Sequence, residues 1–357
     1  MTDLLALTEA LCAIPSVSGN ETALADHVES WSRQRTPGLE VRRIANNVVV
    51  RTDTGAAQRV VLGGHLDTVP ANGNAEPRRD GDVLHGLGSA DMKGGLAVLL
   101  DIAGRVEAHG AARDVTFAFY EGEEVADEHN GLRHLFATEP ALLAGDVAVL
   151  LEPTGAWIEA GCQGTIHVRA TYDGVRAHTA RPWMGRNAIH RAAAVLTRCA
   201  EHVAPTVEVD GLEYRESLQV VRIDGGVANN VVPDECHLVV NGRVAPSRSV
   251  EVAIAELYEF LGDADTLEVL NASPPAPPNL SHPLIAELVR SGPLGVRPKL
   301  GWTDAARFAE HGIAACNLGP GDPEIAHTAQ ERVGRDELER CAAVLGAFVG
   351  VRGGAEA

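Results

Sequence analysis

The order of apolar and polar positions divides the chain into three stretches. Over the first 150 residues, segments with helical spacing alternate with short, continuous apolar runs. Helical spacing covers 2–13 and 21–35, and the second segment follows Ser18-Gly19-Asn20, where the Asn20 side chain is placed to cap it. Strand-length apolar runs follow at 47–51, 59–63, 114–120 and 146–151, with a helix predicted over 91–108. Strands that are apolar throughout are covered on both faces, so this pattern predicts an α/β fold with a parallel or mixed sheet between helical layers. From about 165 to 272 the strands alternate instead (TIHVRATY, SLQVVRI, CHLVVNGRV), interrupted by helices near 186–202 and 248–262. That change predicts a separate α+β module inserted into the first domain. The run Pro274-Pro275-Ala276-Pro277-Pro278 marks the return, after which a helix (282–290), a strand (313–318) and a helix (335–350) resume the α/β pattern. The predicted segments are 1–164, 165–272 and 273–357.

Composition narrows the class of function. The 357 residues are 45% hydrophobic and 22% charged, enough for a substantial core and too apolar for disorder. The net charge of −19 excludes nucleic acid or an anionic membrane surface as the main partner, because both need a basic footprint. No apolar run reaches the roughly 18 residues of a membrane span, and Met1-Thr2-Asp3-Leu4 lacks the basic start of a secretory signal. The six cysteines are scattered with no CxxC pair, which points to reduced thiols and, with the rest, to a cytoplasmic protein.

The candidate chemistry lies just after the apolar strands. His65-Leu66-Asp67 follows one, Glu121-Gly122-Glu123-Glu124 a second and Glu152 a third. In open α/β sheets ligands bind beyond the carboxyl ends of the strands, so these clusters should converge. Two more groups join them: Ser89 to Gly95, where a glycine-rich loop enters a helix, and Ala326-His327-Thr328 near the C-terminus. Each has a plainer reading alone, as a polar pair, a solvated turn or a helix cap. Together, two histidines and three carboxylates are a donor set for Zn²⁺ or Co²⁺, enough for two ions with one carboxylate shared. Adjacent Glu123 and Glu124 leave one carboxylate for a metal and one for a base. Carboxylates gathered without partners repel one another, and cations resolve that repulsion.

A further signal lies in the inserted stretch. Between Ile166 and Ala200 stand six arginines (169, 176, 181, 186, 191 and 198) against a single acid, Asp173. The plainer reading is a solvated helix face. The functional reading is attraction of an anionic acyl substrate, with Arg176 and Arg181 flanking His178.

The runs GGHLDTVP, GLGSADMKGG, EGEEV, LEPT and a late AHT, in this order and spacing, resemble the M20 family of dinuclear zinc peptidases and deacylases over essentially the whole chain. Within the family, YDGVRAHTARPWMGRNAIHRAA and GGVANNVVPDECHLVVNGRVAPS are most similar to the members of actinobacterial type that remove a succinyl group from a diamino acid. The resemblance implies a zinc-peptidase-like catalytic domain carrying an inserted lid and dimerisation domain. It implies that His65 and Glu152 hold one of two divalent metals, Zn²⁺ or Co²⁺, that Glu124 and His327 hold the other, and that Asp91 bridges them. Asp67 then orients the His65 imidazole, Glu123 is the general base, and the peptide after Asp91 is cis. His178 is implied to act across a homodimer, stabilising the oxyanion in the neighbouring subunit's site. Asn230 and Arg243 match substrate-contacting positions, Thr303 lies in a stretch resembling a substrate loop, and Arg181 joins them by its place beside His178. The implied substrate is a small anionic N-acyl amino acid. Another deacylase or carboxypeptidase of the family, such as an acetylornithine deacetylase, is the alternative enzyme. A metal-binding relative without catalysis is the other alternative, and the presence of Glu123 argues against it. One departure follows His327: the family often has Asn-Glu a few residues on, whereas here the run is Thr328-Ala329-Gln330-Glu331.

Overall fold

The apolar runs of the first and last stretches become strands of one eight-stranded sheet. Its order is Glu40–Ile44, Asn47–Arg51, Asp114–Tyr120, Arg59–His65, Val147–Leu150, Ala314–Asn317, Ile158–Ala160 and Val296–Pro298. This is a computed structural model, and it describes residues 2–292 and 294–352. The four central strands pair in parallel, while Asn47–Arg51 and Ile158–Ala160 add antiparallel neighbours. Asp114–Tyr120 is buried at every residue, as an inner strand covered on both faces must be. The helix Lys93–His109 packs on Arg59–His65 and against the helices Leu4–Cys12 and Arg335–Val349. Its first turn comes so close to the sheet that a Cβ on Gly95 would lie 2.5 Å from the Leu151 carbonyl oxygen. Only glycine permits that approach, which brings the residues before the helix beside those after Val147–Leu150.

The chain divides into two units. One comprises Met1–Ala160, Asn279–Arg297 and Arg307–Ala357; the other comprises Gly161–Pro278 and Pro298–Ala306. In the second unit, four antiparallel strands run in the order Ser217–Gly225, Glu235–Val244, Gly164–Asp173 and Thr266–Ser273. Alternate residues (Ile166, Val168, Ala170, Tyr172, Leu238, Val240) share a core with the helices Ala188–Glu201 and Val250–Leu261. That is the alternation seen in the sequence, and it makes this unit an α+β module with one covered sheet face.

Some local features differ from the sequence reading. Asn20 does not cap the helix Thr22–Arg35; Glu21 occupies the flanking position, and its carboxylate accepts from the Gly19 N–H at 2.9 Å. Gly19 is left-handed at φ +87°, and the helix begins one residue later than the pattern predicts. Residues 298–306 cluster with the second unit rather than with the last sequence segment. There the Gln163 N–H donates to the Lys299 carbonyl (3.3 Å) and the Trp302 indole to the Pro274 carbonyl (3.1 Å). The small sheet of Arg332–Gly334, Val83–His85 and Arg78–Asp80 is too short and polar to show a periodicity. Among the described residues, no helix is long and apolar enough to cross a membrane.

Candidate metal centre

The three parallel strands deliver their following residues to one edge. Arg59–His65 ends on His65, Asp114–Tyr120 leads into Glu123 and Glu124, and Val147–Leu150 into Glu152. Asp91 stands just before the helix Lys93–His109, and the Asp91–Met92 peptide is cis. His327 enters from the loop after Ala314–Asn317 with left-handed backbone, φ +62°.

Asp91 faces both imidazoles. Its Oδ1 lies 3.0 Å from His65 Nε2 and its Oδ2 lies 3.3 Å from His327 Nε2, while Glu124 Oε1 lies 2.6 Å from the same His327 nitrogen. Donor atoms fall within 4.8 Å of one another in three groups: His65, Asp91 and Glu152; Asp91, Glu124 and His327; and His65, Glu123 and Glu124. Asp91 is thus common to one group containing His65 and one containing His327.

Charge at this edge is unbalanced. Among the described residues, the ion-pair partners of Asp91 and Glu124 are imidazoles, not lysine or arginine. Asp91 and Glu124 raise the His327 imidazole to about 10. Burial alone would lower His65, but Asp67 and Asp91 hold it well above its ordinary value. Burial would likewise raise Asp91, yet the two imidazoles keep it far below the usual carboxylate range. A divalent cation would satisfy the same negative charge that raises these two imidazoles. Imidazole nitrogens and carboxylate oxygens at this spacing, with no thiolate, fit divalent ions of the zinc and cobalt type.

Asp67 is fully buried, and its carboxylate serves the Glu123–Glu124 turn more closely than the imidazole. Oδ1 accepts from the Glu123 N–H at 3.0 Å, and Oδ2 from the Glu124 N–H at 3.0 Å and the Ser18 hydroxyl at 2.7 Å. His65 Nδ1 lies 2.9 Å from the Asp67 carbonyl oxygen but 3.5 Å from its carboxylate. Burial would raise the Asp67 carboxyl, but His65, Ser18 and the Glu124 amide bring it to about 2.

Glu331, treated in the sequence only as part of a departure, is a buried member of the site's support. Its Oε1 accepts from the Ala90 N–H at 3.1 Å and the Asp91 N–H at 3.0 Å, and burial pushes its carboxyl up to about 7. Asn74 supports the other side, donating from Nδ2 to the Thr328 carbonyl at 3.1 Å beside His327. A carboxylate four residues past the late histidine was the available signal for Glu331; nothing local marks Asn74.

The remaining candidates belong to the second unit. His178 is exposed, in a two-residue strand paired with Val231–Val232. Its Nδ1 accepts from the Ala180 N–H at 3.0 Å, so the neutral ring carries its proton on Nε2 and presents a donor there. Asn230 is exposed and its carbonyl accepts from the Thr179 N–H at 3.1 Å; the Arg181 N–H donates to the His178 carbonyl at 2.8 Å. Arg243 is half-buried in Glu235–Val244, between Ser217 and Thr165 on neighbouring strands. Thr303 is buried, and its carbonyl accepts from the Ala306 N–H at 3.1 Å.

The arginine excess of 166–200 is largely cancelled by the fold. Arg169 pairs with Glu268, Arg176 with Asp234, Arg191 with Asp265 and Arg198 with Asp263. These acids lie outside the counted window and return on neighbouring strands and loops. Arg176 forks onto the Asp234 carboxylate, its Nε and Nη2 each 2.9 Å from an oxygen. Arg181 and Arg186 are the two of the six without an ion-pair partner among the described residues.

Comparison with known proteins places this geometry. The sequence model of peptidase family M20/M25/M40 matches residues 61–350. A Corynebacterium glutamicum protein named succinyl-diaminopimelate desuccinylase is 43% identical over 350 residues, covering 96% of this chain and 95% of that one. A Mycobacterium tuberculosis relative, given the same activity provisionally in its name, is 45% identical over 349 residues and covers 98% of both. Among solved structures, a tripeptidase from Staphylococcus aureus superposes with a TM-score of 0.79 at 22% identity, covering 97% of both chains.

Proposed function

Because the chain belongs to peptidase family M20/M25/M40, we propose that it is a metal-dependent amide hydrolase that removes the succinyl group from N-succinyl-LL-2,6-diaminopimelate. The products are succinate and LL-diaminopimelate, a lysine and cell-wall precursor. The observation that carries the reading is Asp91 standing between two histidine-containing donor groups, with Glu123 beside them. His65 and Glu152 would hold one divalent ion, Glu124 and His327 the other, and Asp91 both. Bound there, two such ions, Zn²⁺ or Co²⁺, supply polarisation of the amide carbonyl and a lowered pKa for the attacking water.

The chain's own residues do the rest. Glu123 takes a proton from the attacking water and delivers it to the departing amine, so no covalent enzyme intermediate is needed. His178, from the partner subunit of a homodimer, donates from Nε2 to the oxygen on which negative charge develops. Its hydrogen bond from Ala180 supports that role by fixing the tautomer. Arg243 and Arg181 take the substrate's carboxylates, with Asn230 and Thr303 as neutral contacts.

The test is a panel of N-succinyl and N-acetyl amino acids, assayed on metal-free protein and after adding Zn²⁺ or Co²⁺. The expected result is release of succinate from N-succinyl-LL-diaminopimelate, abolished by chelation and restored by either ion. Preference for an acetyl group overturns the substrate, and full activity in metal-free protein overturns the chemistry.

A further inference from the structure

We propose that Ser18 is a positioning residue of the hydrolytic centre, acting through Asp67 on the turn that carries Glu123 and Glu124. The inference deepens the reading above and rests on it for the role of Glu123 as base. Ser18 lies in the loop between the helices Leu4–Cys12 and Thr22–Arg35, on no strand that ends at the site. Even so, this loop is laced to the residues after His65. The Ser18 N–H donates to the Thr68 carbonyl (3.1 Å), the Thr68 N–H to the Ser16 carbonyl (2.9 Å), and the Ser16 hydroxyl to the Leu66 carbonyl (2.8 Å).

So held, the Ser18 hydroxyl has one proton to give. It lies 2.7 Å from Asp67 Oδ2 and 3.4 Å from the Thr68 carbonyl, and the shorter, charge-assisted bond takes the proton. The same carboxylate receives the Glu123 and Glu124 amides, one on each oxygen. Gly122 precedes them at φ +69°, where a Cβ would collide with the His129 carbonyl oxygen. This left-handed step lets successive N–H groups turn inward on one anion. The backbone that carries both carboxylates is therefore held by Asp67, and Ser18 supplies the hydroxyl bond to that same carboxylate.

Three variants test this. In metal-loaded Ser18→Ala, kcat should fall about tenfold, below the roughly hundredfold that a 1 Å misplacement can cost, with KM changed less than twofold. The visible spectrum of the Co²⁺-loaded protein should shift as Glu124 moves. Ser18→Thr, which keeps the hydroxyl, should restore both, and Ser18→Cys, similar in size but a weak donor, should behave like Ser18→Ala. A folded Ser18→Ala or Ser18→Cys with unchanged kcat and spectrum overturns the proposal. So does equal impairment of Ser18→Thr. If Ser18→Ala does not fold, Ser18→Cys decides; if neither folds while Ser18→Thr does, Ser18 maintains the fold and the proposal is overturned. If the unaltered protein hydrolyses nothing in the panel, the functional reading fails, and the Co²⁺ spectra still decide the role of Ser18.

Discussion

Two adjacent carboxylates just after Asp114–Tyr120 are placed differently. Both lie in the group with His65 and both amides are held by Asp67, but Glu124 also meets His327 at 2.6 Å. Glu123→Gln should keep its metal content and melting temperature while kcat falls by about 10²- to 10⁴-fold, the usual worth of a placed base. Near-normal turnover in the metal-loaded variant would reassign the base. Glu331 offers a second prediction. Glu331→Ala strips the acceptor from the Ala90 and Asp91 amides, at about 1–3 kcal/mol for each donor left unpaired in the interior. Urea unfolding should show the loss, and metal titration should show weaker binding. An unchanged midpoint would make Glu331 dispensable as a support.

At the next scale, the strand that carries the turn is anchored at its first residue. Asp114 accepts from the Thr52 hydroxyl (2.6 Å), the Thr54 N–H (2.9 Å) and hydroxyl (3.0 Å), and the Ala56 N–H (3.1 Å), with Arg59 3.6 Å away. This ties the connection between Asn47–Arg51 and Arg59–His65 to the inner strand. Burial would raise the Asp114 carboxyl, but the bonds from Thr52 and Thr54 and the charge of Arg59 hold it at about 2. A folded value below the unfolded one means the stabilisation is present above about pH 4 and is lost as pH falls through about 2. Asp114→Asn should cost about 2 kcal/mol at neutral pH and flatten this part of the acid-unfolding profile. A parallel profile in the variant would remove Asp114 as its source.

For the whole molecule, metal loading and assembly are the measurable properties. A cation that binds the folded chain alone stabilises it by about 2.7 kcal/mol at a hundredfold excess over Kd, so chelation should lower the melting temperature. Asp91 and Glu124 raise His327 to about 10, so a cation taking its place on these carboxylates would displace a proton from the ring at neutral pH. Affinity should therefore rise with pH, and binding should acidify a weakly buffered solution; no proton release would mean that the His327 ring is not protonated before the cation binds. Action of His178 across a homodimer is tested by mixing. Inactive Glu123→Gln subunits in excess, exchanged with inactive His178→Ala subunits, should regain activity, because one mixed site then holds both intact residues. Heterodimers that form and stay inactive would defeat action in trans.

What the sequence by itself determined is what local pattern can encode. Continuous apolar runs marked the inner strands Asn47–Arg51, Arg59–His65 and Asp114–Tyr120, and alternation marked the inserted module. Polar residues placed just after strand ends identified His65, Glu123, Glu124 and Glu152, because a parallel sheet brings its strand ends together whatever the loops do. The tertiary structure alone decided the pairings between residues far apart in the chain. Ser18 on Asp67, Glu331 under Asp91 and Asn74 beside His327 leave no periodic trace, since each depends on how separate loops meet. The arginines of 166–200 show the same limit from the other side. Their excess is real along the chain, but folding returns Asp234, Asp263, Asp265 and Glu268 to four of them, because charge is balanced between neighbours in space.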